Sequence, residues 1–503
     1  MTCPDVDVFD RPGALPSLPA LLAECERRGI RLCHWKGNAR MEMAMRGESD
    51  VDLLVHRHDR AAFCTLLSEL DVKEAVARPG RNYPCVENYL GFDAETGRLF
   101  HLHVYYALMV GLQYVDEYWL PLEHEYLDEA VHACGVPVPA PPLELATLSV
   151  RALLRYRLRD AVKDLLRIRS YGISSRTLDE IRWLEGQSPP KELDETLERT
   201  VSVLPRGCIE RFLELAADEE RGLGLFRLRA ETRKSLGVHR RMGRPTAAAR
   251  YARALVQKRM SGIRRLHRRM GLRQGGTTIA FVGSDGAGKS TVLAGVHDWL
   301  AWRLTVGTFY MGTARPSLPT SVLVWTARKT AGLDRRVHGW LGAANPLARV
   351  SAWFSDHALA VGRVSEGYDR LHRYRRARRL ADRGGVALFD RYPMPGIPIA
   401  GRSMDGPRIR AETCARGLLL SRLASCEQRL LEAVRPPELV VVLHVRPELA
   451  LARSPDHDLS MIRSKVAAID AMDQTGLTVE DIDANRPLHE VLESAKASVW
   501  GGL

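Results

Sequence analysis

The sequence predicts an α/β protein: a C-terminal phosphate-loop domain with a parallel sheet, preceded by an N-terminal α+β domain and a helical bundle. Three observations carry that expectation. From Thr277 onward, short apolar runs alternate with helical spacing, as parallel strands and their crossover helices do. Residues 1 to about 140 alternate short apolar runs with polar turns instead. From Leu143 the leucines fall at helical spacing, and Gly172 and Pro189-Pro190 cut the run into separate helices. A chain of 503 residues has room for roughly two to four domains. The expected spans are 1–142 for the α+β domain, 143–219 for the bundle, 220–273 for a basic helical connector and 274–503 for the phosphate-loop domain.

In chain order, the pattern predicts a helix over 20–28 and strands over 31–35, 51–55 and 99–105. The bundle rests on Leu143, Leu148, Leu154, Val162, Leu165 and Leu166, then on Leu178, Ile181 and Leu184. In the C-terminal part, strands are expected at 278–282, 386–389, 439–445 and 479–484, each a short apolar run of the buried parallel kind. Val292, Val296, Trp299, Leu300 and Trp302 predict a helix over 291–304.

Between the first of those strands and that helix lies Gly283-Ser284-Asp285-Gly286-Ala287-Gly288-Lys289-Ser290-Thr291, which fits the pattern G-x-x-x-x-G-K-[ST] in its required strand–helix context. Glycines let the backbone wrap a phosphate with its N–H groups, and the helix N-terminus adds the positive end of its dipole. Lys289 is expected to reach the β- and γ-phosphates of a nucleoside triphosphate such as ATP, and the Ser290 hydroxyl to ligate Mg²⁺.

Three further stretches fit the same chemistry. The strand at 386–389 ends in Asp390-Arg391-Tyr392, placing a carboxylate at the ligand end of a parallel sheet. There Asp390 can hold a Mg²⁺ water or the acceptor, and Arg391 can grip an acceptor phosphate with its planar fork. Beyond the next strand come Arg453 and a polar stretch, 456–464, with Arg463 and Lys465; this reads either as a mobile segment over transferring phosphates or as solvated loop arginines. Arg486, after the last strand, is expected near the nucleotide base, with Pro487 opening a helix.

Together these residues resemble the thymidylate kinase family of P-loop kinases over about 230 residues, 274–503. The matching features are the phosphate loop with its Asp-Gly-Ala, Asp390-Arg391-Tyr392, the strand–Pro–Glu–helix run to Arg453, and Ile482-Asp483-Ala484. The resemblance implies Mg²⁺-dependent phosphoryl transfer from ATP to a nucleoside monophosphate. Two departures remove thymidylate as an inference. Pro393-Met394-Pro395-Gly396 replaces the family's Ser…Ala-Tyr-Gln, and Tyr310-Met311-Gly312 lacks its Arg-Glu-Pro-Gly.

Lys36-Gly37-Asn38, then eleven residues, then Asp50-Val51-Asp52-Leu53 is a nucleotidyltransferase-like arrangement. Alternate strand residues face one way, so Asp50 and Asp52 are expected to share a metal, with Gly37-Asn38 opening a helix toward phosphates. A third carboxylate belongs on a neighbouring strand, and there the sequence has His101, a poor ligand for hard Mg²⁺. The pattern resembles an uncharacterised nucleotidyltransferase-like family with Lys-Gly upstream and a His-containing strand downstream. Active site, inactive nucleotide binder and two solvated aspartates all stay open.

Composition narrows the setting. Residues 221–273 carry 17 Lys/Arg against one acid, Glu231, so the formal net charge of +12 is concentrated there and the remainder is slightly acidic. Helical spacing of Leu255, Val256, Met260, Ile263 and Leu266 beside Arg264, Arg265, Arg268 and Arg269 suits packing between domains, an anionic membrane surface, or, with few interleaved aromatics, least of all nucleic acid. Three aspartates and three prolines in residues 1–18 argue against a secretory signal, and nine scattered cysteines with no C-x-x-C pair suggest reduced thiols and a cytoplasmic protein. A homodimer is compatible with all of this. The expectation is an ATP-dependent kinase acting on a nucleoside monophosphate or related phosphorylated small molecule. The alternatives are a nucleotidyltransferase with the phosphate-loop domain as regulator, or a non-catalytic nucleotide-binding regulator.

Overall fold

The computed structural model describes residues 13–77, 83, 85–165, 173–217, 222–263, 269–342, 344–394, 397–399, 402–403, 406–409, 417–456 and 458–503. The chain divides into two compact units, Met1–Met270 and Gly271–Leu503.

In the first unit, strands β1 (Leu32–His34), β2 (Val51–Val55), β3 (Lys73–Val76), β4 (Val86–Asp93) and β5 (Arg98–Tyr105) lie in the order β1-β2-β5-β4-β3. The β2–β5 pair is parallel and its neighbours are antiparallel. Helices Ser17–Arg27 and Arg60–Glu69 cover one face, where Leu18, Leu21, Phe63 and Leu66 pack with Leu53, Val55, Leu102 and Val104. Behind the sheet lies the expected bundle, centred on Pro141–Arg155. That helix is buried nearly all round, which explains why apolar residues occur on every side of it. Part of the basic stretch is built into this core. Helix Gly222–Ser235 buries Leu225 and Leu228, Arg229 Nε donates to the Leu154 carbonyl at 3.1 Å, and Arg233 reaches Glu117 at 3.4 Å. Gly172, Leu166, Arg264, Arg265, Arg268, Pro395 and Gly396 lie outside the described residues.

The second unit holds five parallel strands: β6 (Thr277–Gly283), β7 (Val306–Tyr310), β8 (Val386–Asp390), β9 (Leu439–His444) and β10 (Val479–Asp483), in the order β7-β8-β6-β9-β10. The chain leaves β6 toward one edge and later fills the other, so the crevice of this open sheet opens past the C-terminal end of β6. β6 and β8 are buried by helices on both faces and read as unbroken apolar runs for that reason. Two long helices, Leu318–Leu341 and Pro346–Ala381, separate β7 from β8. Ser317 and Asn345 cap their N-termini with side-chain hydrogen bonds.

Among the described residues no helix is long and apolar enough to cross a membrane. Cys25, Cys33, Cys64, Cys85, Cys208 and Cys426 are free thiols, but Cys134 is disulfide-bonded, so uniformly reduced cysteines do not hold.

Glu144, buried in Pro141–Arg155, accepts from Asn38 Nδ2 at 2.8 Å, and burial pushes its carboxyl up to about 7. Between the ordinary value of 4.5 and 7 the folded protein holds a proton that the unfolded chain has lost, so stability falls as pH rises through that window. Glu144→Gln keeps the acceptor without the titration. Its melting temperature, followed by calorimetry, is expected to gain on wild type from pH 4.5 to 8; a constant difference would show that Glu144 does not titrate there.

Candidate functional site

The sequence places its phosphate loop where the fold opens. The backbone turns left-handed at Gly286 (φ 81°) and Gly288 (φ 86°), and a Cβ on Gly286 would sit 2.2 Å from the Ala450 carbonyl oxygen. Gly286 is therefore held by both torsion and close packing. Lys289 opens helix Lys289–Leu300, and its ammonium folds back to donate to the carbonyls of Gly283 (2.9 Å) and Ser284 (2.7 Å). Burial pulls its pKa down to about 8, with Arg391 and Lys465 adding to the depression and Asp285 and Asp390 opposing it.

Cations from two other elements meet this loop. Arg391 Nη2 lies 3.6 Å from Asp285 Oδ1, and Lys465 Nζ donates directly to Asp285 Oδ2. Burial of Asp285 favours the protonated form, but the Lys465 hydrogen bond and the surrounding positive charge outweigh it and hold the carboxyl below its usual range. The β6–β8 register pairs Phe281 with Asp390, which brings the end of β8 beside the loop. Arg391, one residue further, has φ 55°, a left-handed conformation that costs a side-chain-bearing residue about 1 kcal/mol. Strain of this kind gathers where a side chain must be aimed.

These residues line a cleft of about 520 Å³ that takes in Asp285 to Thr291, Asp390, Arg391, Arg453 and Arg486. Arg453 donates to the Ala484 carbonyl at 3.0 Å, and Arg486 pairs with Glu490 at 2.6 Å. Gly283 and the buried Ser284 form the base of the loop. Arg463 stands apart: it is exposed, 3.5 Å from Glu448, and does not line the cleft. The stretch around it is no loop but helix Leu459–Asp470, capped by Asp458. Ile462, Ala468 and Ile469 mark the buried face of that helix; position 465 falls on it, about 200° round from 463. The helix phase thus selects Lys465, of the two cations that the sequence offers in this stretch.

A second cleft of about 680 Å³ adjoins, lined by Tyr310, Gly312, Trp325, Arg328, Arg363 and Arg408, and Arg391 lines both. Arg373 fixes its rim, donating to the carbonyls of Tyr310 and Gly312 at 3.0 Å each and to that of Arg315.

In the first unit, the parallel register sets Val51 opposite Leu102 and Asp52 opposite His103, so Asp50, Asp52, His101 and His103 share one face. Asp52 meets a lysine from the segment after β1. Lys36 Nζ sits 2.9 Å from Asp52 Oδ1, wedged 4.8 Å from the Trp35 ring centre and 4.4 Å from that of Tyr105. Burial disfavours the Asp52 charge, yet Lys36 and His103 hold its carboxyl well below the ordinary range. Asn38 likewise turns inward, its backbone N–H 3.4 Å from Glu144 Oε1 and its side chain bonded to the same carboxylate.

A polyphosphate in the first cleft favours the charged form of Lys289 and lifts its pKa. Binding of inorganic tripolyphosphate near pH 8 is therefore expected to take up roughly half a proton at Lys289, read by calorimetry in two buffers of different ionisation enthalpy. Lys289→Arg, whose guanidinium stays charged, should abolish that uptake; equal uptake by the variant would assign the proton elsewhere.

No family model matches the chain. Two proteins of Escherichia coli K12 do. It is 30% identical over 230 residues to "Uncharacterized ATP-binding protein YghR", a match spanning 44% of this chain and 86% of that protein. It is 25% identical over 231 residues to "Uncharacterized ATP-binding protein YghS", covering 45% of this chain and 93% of that protein. With that identity over most of YghR, and with a phosphate loop formed in full, the chain belongs to the YghR family.

Proposed function

We propose that the protein binds ATP and is a kinase of the thymidylate kinase-like class, transferring the γ-phosphoryl group to a nucleoside monophosphate or related phosphorylated small molecule. One observation carries the reading: two clefts meet at Arg391, one walled by the phosphate loop and the other by a separate set of arginines and aromatics. Names of the relatives, both ATP-binding proteins, agree with the donor. ATP as donor suits a cytoplasmic protein.

The residues fit both ligands. Backbone N–H groups from Gly286 to Lys289 can cradle the β-phosphate, and Lys289 needs only to exchange two loop carbonyls for phosphate oxygens. Ser290 and Asp390 line the same cleft and offer the hard oxygen donors that Mg²⁺ prefers. That ion supplies charge neutralisation of the transferring group. Arg391 then faces the acceptor, with Arg408 across the second cleft and Trp325 beside the acceptor's body. Arg453 and Arg486 close the donor side.

The test is incubation with labelled ATP, Mg²⁺ and a panel of nucleoside monophosphates. Lys289→Ala is expected to lower turnover by orders of magnitude with the fold intact. Arg391→Lys removes the two-pronged grip but keeps the charge, so acceptor KM should rise or kcat fall about tenfold or more while ATP affinity by calorimetry changes little. Equal loss of ATP affinity would put Arg391 on the donor side, and wild-type turnover in Lys289→Ala would end the kinase reading.

A further inference from the structure

We propose that Asp50, His101 and His103 form a binding site for a divalent first-row transition ion, Zn²⁺ or Co²⁺ in preference to Mg²⁺. One donor atom from each of the three lies within 4.8 Å of the other two, close enough for one ion to touch all three. They come from two neighbouring strands: Asp50 stands immediately before β2, and the histidines are alternate residues of β5. Their rings lie 4.6 Å apart, centre to centre.

The hydrogen bonds around the cluster orient it. His101 Nε2 is 3.2 Å from Asn88 Oδ1, an amide oxygen that can only accept, so the network assigns the Nε2 proton to that bond. Nδ1 lies 2.8 Å from Asp50 Oδ1, a contact that a ring proton or an ion can bridge. An outer carbonyl that fixes a histidine's tautomer is also how metal-bound imidazoles are commonly held.

Charge and donor type select the ion. Lys36 offsets the Asp52 carboxylate, which lies 3.4 Å from His103 Nδ1, while Asp50 lies beside both imidazoles. Two neutral imidazoles and one carboxylate suit ions with affinity for nitrogen and leave positions open for water or a substrate oxygen. Mg²⁺ asks for oxygen donors throughout. His101 is buried, whereas the side chains of Asp50 and His103 are 30% and 23% exposed, which gives an ion a way in. The site uses residues of the first unit alone and stands whether or not the kinase reading does.

The experiment titrates Co²⁺ into chelator-stripped full-length protein, following its visible ligand-field bands, with Zn²⁺ and Mg²⁺ by calorimetry. One saturable equivalent of Co²⁺ or Zn²⁺ per chain is expected, with no comparable binding of Mg²⁺ at the same concentration. His103→Ala and the nearly isosteric Asp50→Asn should each weaken it at least tenfold, while Lys289→Ala leaves it unchanged. Circular dichroism checks the fold, and Asp50→Asn reads the site if His103→Ala does not fold. Absence of saturable binding, Mg²⁺ binding as tightly, or wild-type affinity in a folded His103→Ala or Asp50→Asn protein would overturn the proposal.

Discussion

Three cations, Lys289, Arg391 and Lys465, converge on the single carboxylate of Asp285, and the geometry of the phosphate loop depends on that convergence. Each comes from a different element, so Asp285 ties the loop to the end of β8 and to helix Leu459–Asp470 at once. Like charges packed this closely cost energy, and the Asp285 and Asp390 carboxylates offset only part of it. Burial pulls the Lys289 pKa down, and the two neighbouring cations add to that depression. A polyanion of several charges would relieve it more completely than Asp285 does, which is why the cleft favours such a ligand.

The same constraint explains the division of the crevice. Arg391 is bent into a left-handed conformation at a strand end, where an extended residue would continue the line of β8. That bend lets one guanidinium border both clefts. The second cleft owes its wall to the long helices inserted between β7 and β8, and Arg373 pins its rim by holding three backbone carbonyls. Variation in those helices would alter the second cleft without disturbing the loop.

Much of this was legible in the sequence because buried parallel strands advertise themselves: β6, β8, β9 and β10 fall within two residues of their expected ends. The long helix pair was harder to read. Trp325, Trp340, Trp353 and Phe354 are exposed on it, so no single apolar stripe stands out, although Ser317 and Asn345-Pro346 are ordinary start signals. Strand β4 was hidden by Gly91, which interrupts its pattern because a Cβ there would collide with the Phe100 ring. Lys465 and the Lys36–Asp52 pair depend on helix phase and tertiary approach, which motif spacing does not carry. For Asp50 and Asp52 the strand alternation puts both on one face, and what spacing does not carry is that a buried lysine reaches Asp52.

The central claim is that the Asp285-centred cluster is a polyphosphate site whose outer end faces an acceptor. A crystal structure with a non-hydrolysable ATP analogue and Mg²⁺ tests it most directly. The account predicts the β-phosphate against the backbone N–H groups of Gly286 to Lys289, the Lys289 ammonium moved from the Gly283 and Ser284 carbonyls onto phosphate, and the γ-phosphate turned toward Arg391. A nucleotide bound elsewhere, or one that leaves Lys289 on those carbonyls with its γ-phosphate away from Arg391, would contradict it.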